Sequence, residues 1–264
     1  MLIAVGWAIM GNLFTRAGLT DMTTSIVISA YGYIEKIDRT TLTAIFVNLL
    51  PYMVFSIIYG LYIYKEYCNV GVYVFSRMTN RKSWCMRKIG ELYLFSFVYT
   101  IIIIVVSLVT LVFTNKIQYS DGTIRLAFFY IMNTSLFICA SALLVNALAI
   151  MFGSQTAVII SMAIQIICTG LLIFSAPEWD EVLMTYVMSR RAEVLLKINP
   201  IGHLVLNWHS DCSEPVNQVI NCFGINYPLW SSTVYMLALL IIMTAVINTA
   251  VKHRDIIISN PEEG

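Results

Sequence analysis

The chain has 264 residues, 59% of them hydrophobic and only 12% charged, with a net charge of +1. Soluble domains carry about 25% charged residues, so half that share points to lipid rather than water as the surrounding solvent. A near-zero net charge points to no acidic or basic partner and gives no sign of nucleic acid binding. There are no acidic tails, low-complexity tracts or internal repeats, and the chain reads as one helical membrane domain, 1–264.

A membrane span needs about 20 apolar residues, because the hydrocarbon core is about 30 Å thick and a helix rises about 1.5 Å per residue. The opening run "MLIAVGWAIMGNLF", 1–14, is short for a crossing. No basic residue precedes it as in a signal peptide. It is taken as the outer part of a first span whose inner half is thinly supplied or lies outside this sequence. The next run, 41–64, is long enough, with Pro51 as the expected kink. After it come 92–114, centred on "IIIIVVSLVTLVF", then 126–152 and 156–175, parted by a tight turn at 153–155. The last is 229–251. The expected fold is therefore all-α, with six transmembrane helices of which the first is incomplete.

Lys and Arg in short loops orient such a chain. The 65–91 loop carries Lys65, Arg77, Arg81, Lys82, Arg87 and Lys88, and the tail after Val251 adds Lys252 and Arg254. The long 176–228 loop has Arg190, Arg191 and Lys197 against Glu178, Asp180, Glu181, Glu193, Asp211 and Glu214. This predicts 65–91 and both termini in the cytoplasm of a plasma-membrane protein, with 176–228 outside. Cys212 and Cys222 share that outer loop, where oxidation can join them; their spacing does not fix whether it does.

Within 65–91, "SRMTNRKSWCMRKIG" does more than mark the inner side. With Asn80 as N-cap, a helix from Arg81 places Trp84, Lys88 and Glu91 on a stripe with Arg81, and Cys85, Ile89 and Leu92 on the adjacent apolar strip. The third span then projects beyond the bilayer and displays Arg, Trp and Lys, residue types suited to a protein interface.

This basic segment between spans two and three resembles the corresponding segment of ABC-2-type transporter permeases, including small self-protection exporters for lantibiotics and bacteriocins. "INPIGHLVLNWH" (Ile198–His209) and "VKHRDI" (Val251–Ile256) resemble the stretches flanking the last span of that family. The resemblance implies an ATP-driven exporter whose cargo is an antimicrobial peptide or another amphipathic molecule. It also implies a separate ATP-binding subunit holding ATP and Mg, a second permease copy or paralogue, and short re-entrant helices in 176–228. The residues coupling to the ATPase subunit would be Arg77, Arg81, Lys82, Trp84, Arg87 and Lys88.

No GxxxxGK[ST] loop is present, so this chain is expected to bind no nucleotide or other cofactor itself. No catalytic residue is assigned, and with no CxxC or zinc-finger spacing no metal is expected. His203, His209 and Asp211 near Arg190 and Arg191 suggest a rival, a membrane enzyme acting on lipid phosphates. They lack the full set of bases and cations that chemistry needs, and the histidines read better as interfacial polar residues. A non-transporting scaffold is the third reading. The span centres hold no charge, which argues against an ion-coupled carrier. Their polar residues include Asn48, Asn133, Asn146 and Gln165, candidates for a substrate path or for interhelical hydrogen bonds, and Asn248 belongs with them.

Overall fold

The computed structural model describes residues 1–14, 20–21, 37, 39–75, 81–113, 117–118, 121–180, 185–221 and 223–253. Among these the chain is predominantly helical. The helices are α1 (Leu2–Phe14), α2 (Arg39–Tyr59), α3 (Tyr62–Phe75), α4 (Arg81–Phe113), α5 (Thr123–Phe152) and α6 (Ser154–Leu171), then α7 (Arg190–Ile198), α8 (Glu214–Ile220) and α9 (Leu229–His253). Short 3-10 turns cover Leu172–Ser175 and Leu206–Trp208. Two small strand pairs complete the fold. β1 (Thr20–Asp21) runs parallel to β2 (Ile117–Gln118), and β3 (Glu178–Asp180) antiparallel to β4 (Thr185–Val187).

Five stretches are long and apolar enough to cross a bilayer: Arg39–Asn69, Arg81–Phe113, Thr123–Phe152, Ser154–Ser175 and Leu229–Lys252. Length and composition thus make the chain a multi-pass membrane protein. α1 has 13 residues and falls short of the roughly 20 that a crossing needs. The expected turn at 153–155 narrows to Gly153, whose φ of +91° favours a residue without a Cβ.

Contacts divide the chain into two compact units. One comprises Met1–Pro51, Val98–Thr134 and Ile166–Met236; the other comprises Tyr52–Phe97, Ser135–Gln165 and Leu237–Gly264. Each of α2, α4, α5, α6 and α9 changes unit once along its length.

In the first unit the 176–228 connection packs on itself through fully buried Leu196, Val205, Trp208, Val216 and Ile220. Arg125 at the start of α5 ties to nearly buried Asp211 at 2.9 Å. The Tyr99 hydroxyl donates to the Pro51 carbonyl at 2.9 Å, linking α4 to α2 beside the proline. α2 continues as a helix through that residue.

In the second unit, Val145 and Ala149 of α5 form a core with Ala157, against which Leu61, Tyr64, Leu148 and Val158 pack. Membrane interiors offer helices little hydrophobic drive toward one another, so small residues that permit close approach do much of the holding. The alanines of "CASALLVNALAIMF" serve this purpose, and α5 is largely buried.

The expected single span 41–64 breaks at Gly60 and Leu61 before α3 begins. Only a residue without a Cβ fits at the break. A Cβ at Gly60 would stand 1.9 Å from the Ser56 carbonyl oxygen and 2.8 Å from Val145 Cβ. Restarting a helix leaves backbone N–H groups without partners. One of them, on Tyr64, donates to Asn146 Oδ1 of α5 at 3.0 Å, while Asn146 Nδ2 donates to the Ala142 carbonyl at 2.8 Å.

Candidate functional site

α4 spans 33 residues, about 50 Å at the helical rise, and about 20 residues are enough to cross the hydrocarbon core. Its first turns therefore form a polar arm continuous with the apolar part, as the sequence leads one to expect. Cys85 and Leu92 are fully buried and Ile89 nearly so, the strip foreseen for them. The opposite face exposes Lys82, Ser83, Met86, Arg87 and Gly90, a spacing of three and four residues that makes one stripe.

Two of the coupling residues do not stand where the helical wheel puts them. Trp84 is buried, with 9% of its surface exposed, and so belongs to the packed strip. Lys88 turns toward α3. Its ammonium reaches Glu66 and Glu91 at 2.9 Å each and the Tyr62 hydroxyl oxygen at 3.0 Å. Tyr62 donates in turn to Glu91 at 2.7 Å, and Arg87 Nε reaches the other Glu91 oxygen at 3.3 Å. Two carboxylates and two cations thus close a neutral network between α3 and α4. The cause is Glu66, an acid on the neighbouring helix that makes the inward position favourable for a lysine. Among the coupling candidates, Lys82 and Arg87 are exposed, Arg81 is half-buried, and Arg77 lies outside the described residues, as does Asn80.

The four path candidates fall two to a unit. Asn48 and Asn133 are in the first, with Asn48 half-buried; Asn133 is buried and accepts from Thr233 of α9 at 2.7 Å. Asn146 and Gln165 are in the second, both buried, and Asn146 caps α3. Asn248 donates to the Thr244 carbonyl of its own helix at 2.8 Å and lies 3.5 Å from Met86 Sδ of the arm.

In the 176–228 connection the histidines form a closed cluster. His203 Nε2 donates to the Lys197 carbonyl at 2.8 Å, and His209 Nδ1 to the Val205 carbonyl at 2.9 Å. A carbonyl can only accept, so the other two ring nitrogens are acceptors. Tyr227 donates to His203 Nδ1 at 2.6 Å, and Ser232 to His209 Nε2 at 2.6 Å. Tyr235 stacks on His203 and Tyr227 on His209. Burial pulls His203 down to about 4 and His209 to about 3, and pushes the Tyr227 hydroxyl up.

Both imidazoles are therefore neutral at physiological pH. A base whose conjugate acid has a pKa near 3 is poorly matched to proton abstraction at neutral pH. Ser232 and His209 are fully buried as well, and the cluster works as an internal brace. The sequence marked both histidines but not Ser232, Tyr227 or Tyr235, whose partnership depends on the return of the chain into α9.

Lys197 pairs with Glu193, donates to the Asn226 carbonyl at 2.9 Å and lies over the Tyr227 ring. Cys212 is an exposed free thiol, and Cys222 lies outside the described residues. Among the described residues no group of His, Cys, Asp and Glu is arranged to hold a metal ion. No family model, curated protein or solved structure matches the chain.

Proposed function

We propose that the chain is the membrane-spanning permease subunit of an ATP-driven exporter of the ABC-2 type. In this reading it crosses the plasma membrane six times, α1 contributing to the first span, with both termini in the cytoplasm. A separate subunit binds ATP and Mg, a second permease copy or paralogue completes the path, and the cargo is an antimicrobial peptide or another amphipathic molecule.

The observation that carries the reading is the arm of α4. It is one continuous helix with the span behind it, braced to α3 by the Lys88 network, and its strip of Trp84, Cys85 and Ile89 is buried. A push on such an arm is passed to the span rather than absorbed by a loop. The exposed stripe with Lys82 and Arg87, joined by Arg81, is the surface offered to the ATPase subunit. Trp84 and Lys88 hold the arm in place instead of touching the partner.

Affinity purification from cells expressing the tagged chain tests this. An ATP-binding subunit should co-purify with the parent and with Lys65→Ala. A charged interface residue can be worth about 2 kcal/mol, or roughly thirtyfold in retention, so Arg87→Glu should release the subunit. If the parent chain retains no ATP-binding subunit, or if Arg87→Glu retains it fully, the reading is wrong.

A further inference from the structure

The 176–228 connection contains one helix whose outward face does not suit water. In α7, Ala192 and Leu196 are buried, but Val194, Leu195 and Ile198 are 49%, 46% and 62% exposed. Preceding them on the helix are Arg190 and Arg191, both exposed. Among the described residues neither arginine makes an ion pair, whereas Lys197 of the same helix does. Two cations at a helix N-terminus also oppose the positive end of the helix dipole, so the site favours an added negative charge.

The far end of α7 is tied to two of the long apolar helices. The Ile198 carbonyl accepts from the Tyr235 hydroxyl at 2.7 Å, and Asn199 Nδ2 donates to the Cys168 carbonyl at 2.6 Å. Tyr235 lies six residues, about 9 Å, into α9 from Leu229, and Cys168 seven residues, about 10 Å, from the Ser175 end of the span that begins with α6. Both ties belong to apolar helices that expose Trp230, Val234, Ile167 and Phe174 nearby in sequence. α7 also packs against the 3-10 turn that carries Phe174. Arg190 is eight residues, about 12 Å along the helix, from Ile198.

We infer that α7 docks in the lipid leaflet adjoining the 176–228 connection. Val194, Leu195 and Ile198 lie against acyl chains, and Arg190 and Arg191 hold the phosphate of an anionic phospholipid. An amphipathic helix with arginines beside its apolar face is the form that binds such an interface. The inference is independent of the exporter reading, because it needs neither a partner subunit nor a transport step.

The test uses the purified full chain. Native mass spectrometry with phosphatidylglycerol and phosphatidylcholine should show tighter retention of the anionic lipid. Arg190→Gln and Arg191→Gln should each weaken that retention by about fivefold. In vesicles with about 30 mol% phosphatidylglycerol, a spin label at Leu195→Cys should be relaxed by oxygen and not by a water-soluble nickel chelate. Equal retention of the two lipids, or an unchanged double arginine variant, removes the phosphate site. A label that reads aqueous removes the docking itself. So does a label showing distance-dependent coupling between copies, which would place a second chain on this face.

Discussion

Lys88→Ala should destabilise the protein more than the loss of any exposed basic residue in the same segment. The ammonium is the common partner of Glu66, Glu91 and Tyr62. Its removal leaves two half-buried carboxylates facing one another between α3 and α4, with only Arg87, largely in solvent, beside them. Stranding one member of a fully buried ion pair costs about 3–5 kcal/mol. The carboxylates here keep about a third of their surface in contact with solvent, so screening reduces that to about 2 kcal/mol. For a chain of this size the melting temperature in detergent should fall by roughly 4–8 °C, and amide exchange should rise in the first turns of α3 and of α4. The triple variant Lys88→Met, Glu66→Gln and Glu91→Gln should recover most of the loss, because it removes the charges together. Arg87→Ala should lower stability by less than about 1 kcal/mol, as loss of an exposed pair does. An unchanged melting temperature for Lys88→Ala would show that the network does not brace the arm.

The second large effect is expected at Gly60. An added methyl group would meet the Ser56 carbonyl oxygen at 1.9 Å and Val145 at 2.8–2.9 Å, so α3 must move. Overpacking of this kind costs about 1–3 kcal/mol, and displacing Tyr64 from its cap on Asn146 adds about 1 kcal/mol. Gly60→Ala should therefore lower stability by about 3 kcal/mol. Val145→Ala in the same chain should restore only part of it, since the shorter contact is with backbone and cannot be trimmed. Asn146→Ala should cost less in the Gly60→Ala background than in the parent, because the cap it removes is already displaced. Additive losses in that pair would separate the break from its cap.

These two residues mark the boundary of what a single sequence discloses. Length and hydropathy were enough for the five long helices and for the continuous run from Arg81 through the third apolar stretch, because each depends on local composition. The strip of Cys85, Ile89 and Leu92 followed from helical spacing alone. The inward turn of Lys88 did not, because it depends on Glu66 of a different helix, and a helical wheel does not say which neighbour meets which face. The break itself was hidden, since 41–64 reads as one predominantly apolar run and Val145, against which Gly60 packs, is on another helix. The asparagines posed the same difficulty. Asn146 is 82 residues from the backbone group that it caps, and no local pattern announces such a partner.

The measurement closest to the central claim is thiol labelling at Ser83→Cys, on the exposed stripe of the arm, with the native cysteines replaced. A membrane-impermeant maleimide should label it in inside-out vesicles and leave it untouched in right-side-out ones. Co-expression with the ATP-binding subunit should slow that labelling at least tenfold, as burial in a stable interface does. Labelling of Ser83→Cys from the outside face, or cytoplasmic labelling at an unchanged rate with the subunit bound, would contradict the account.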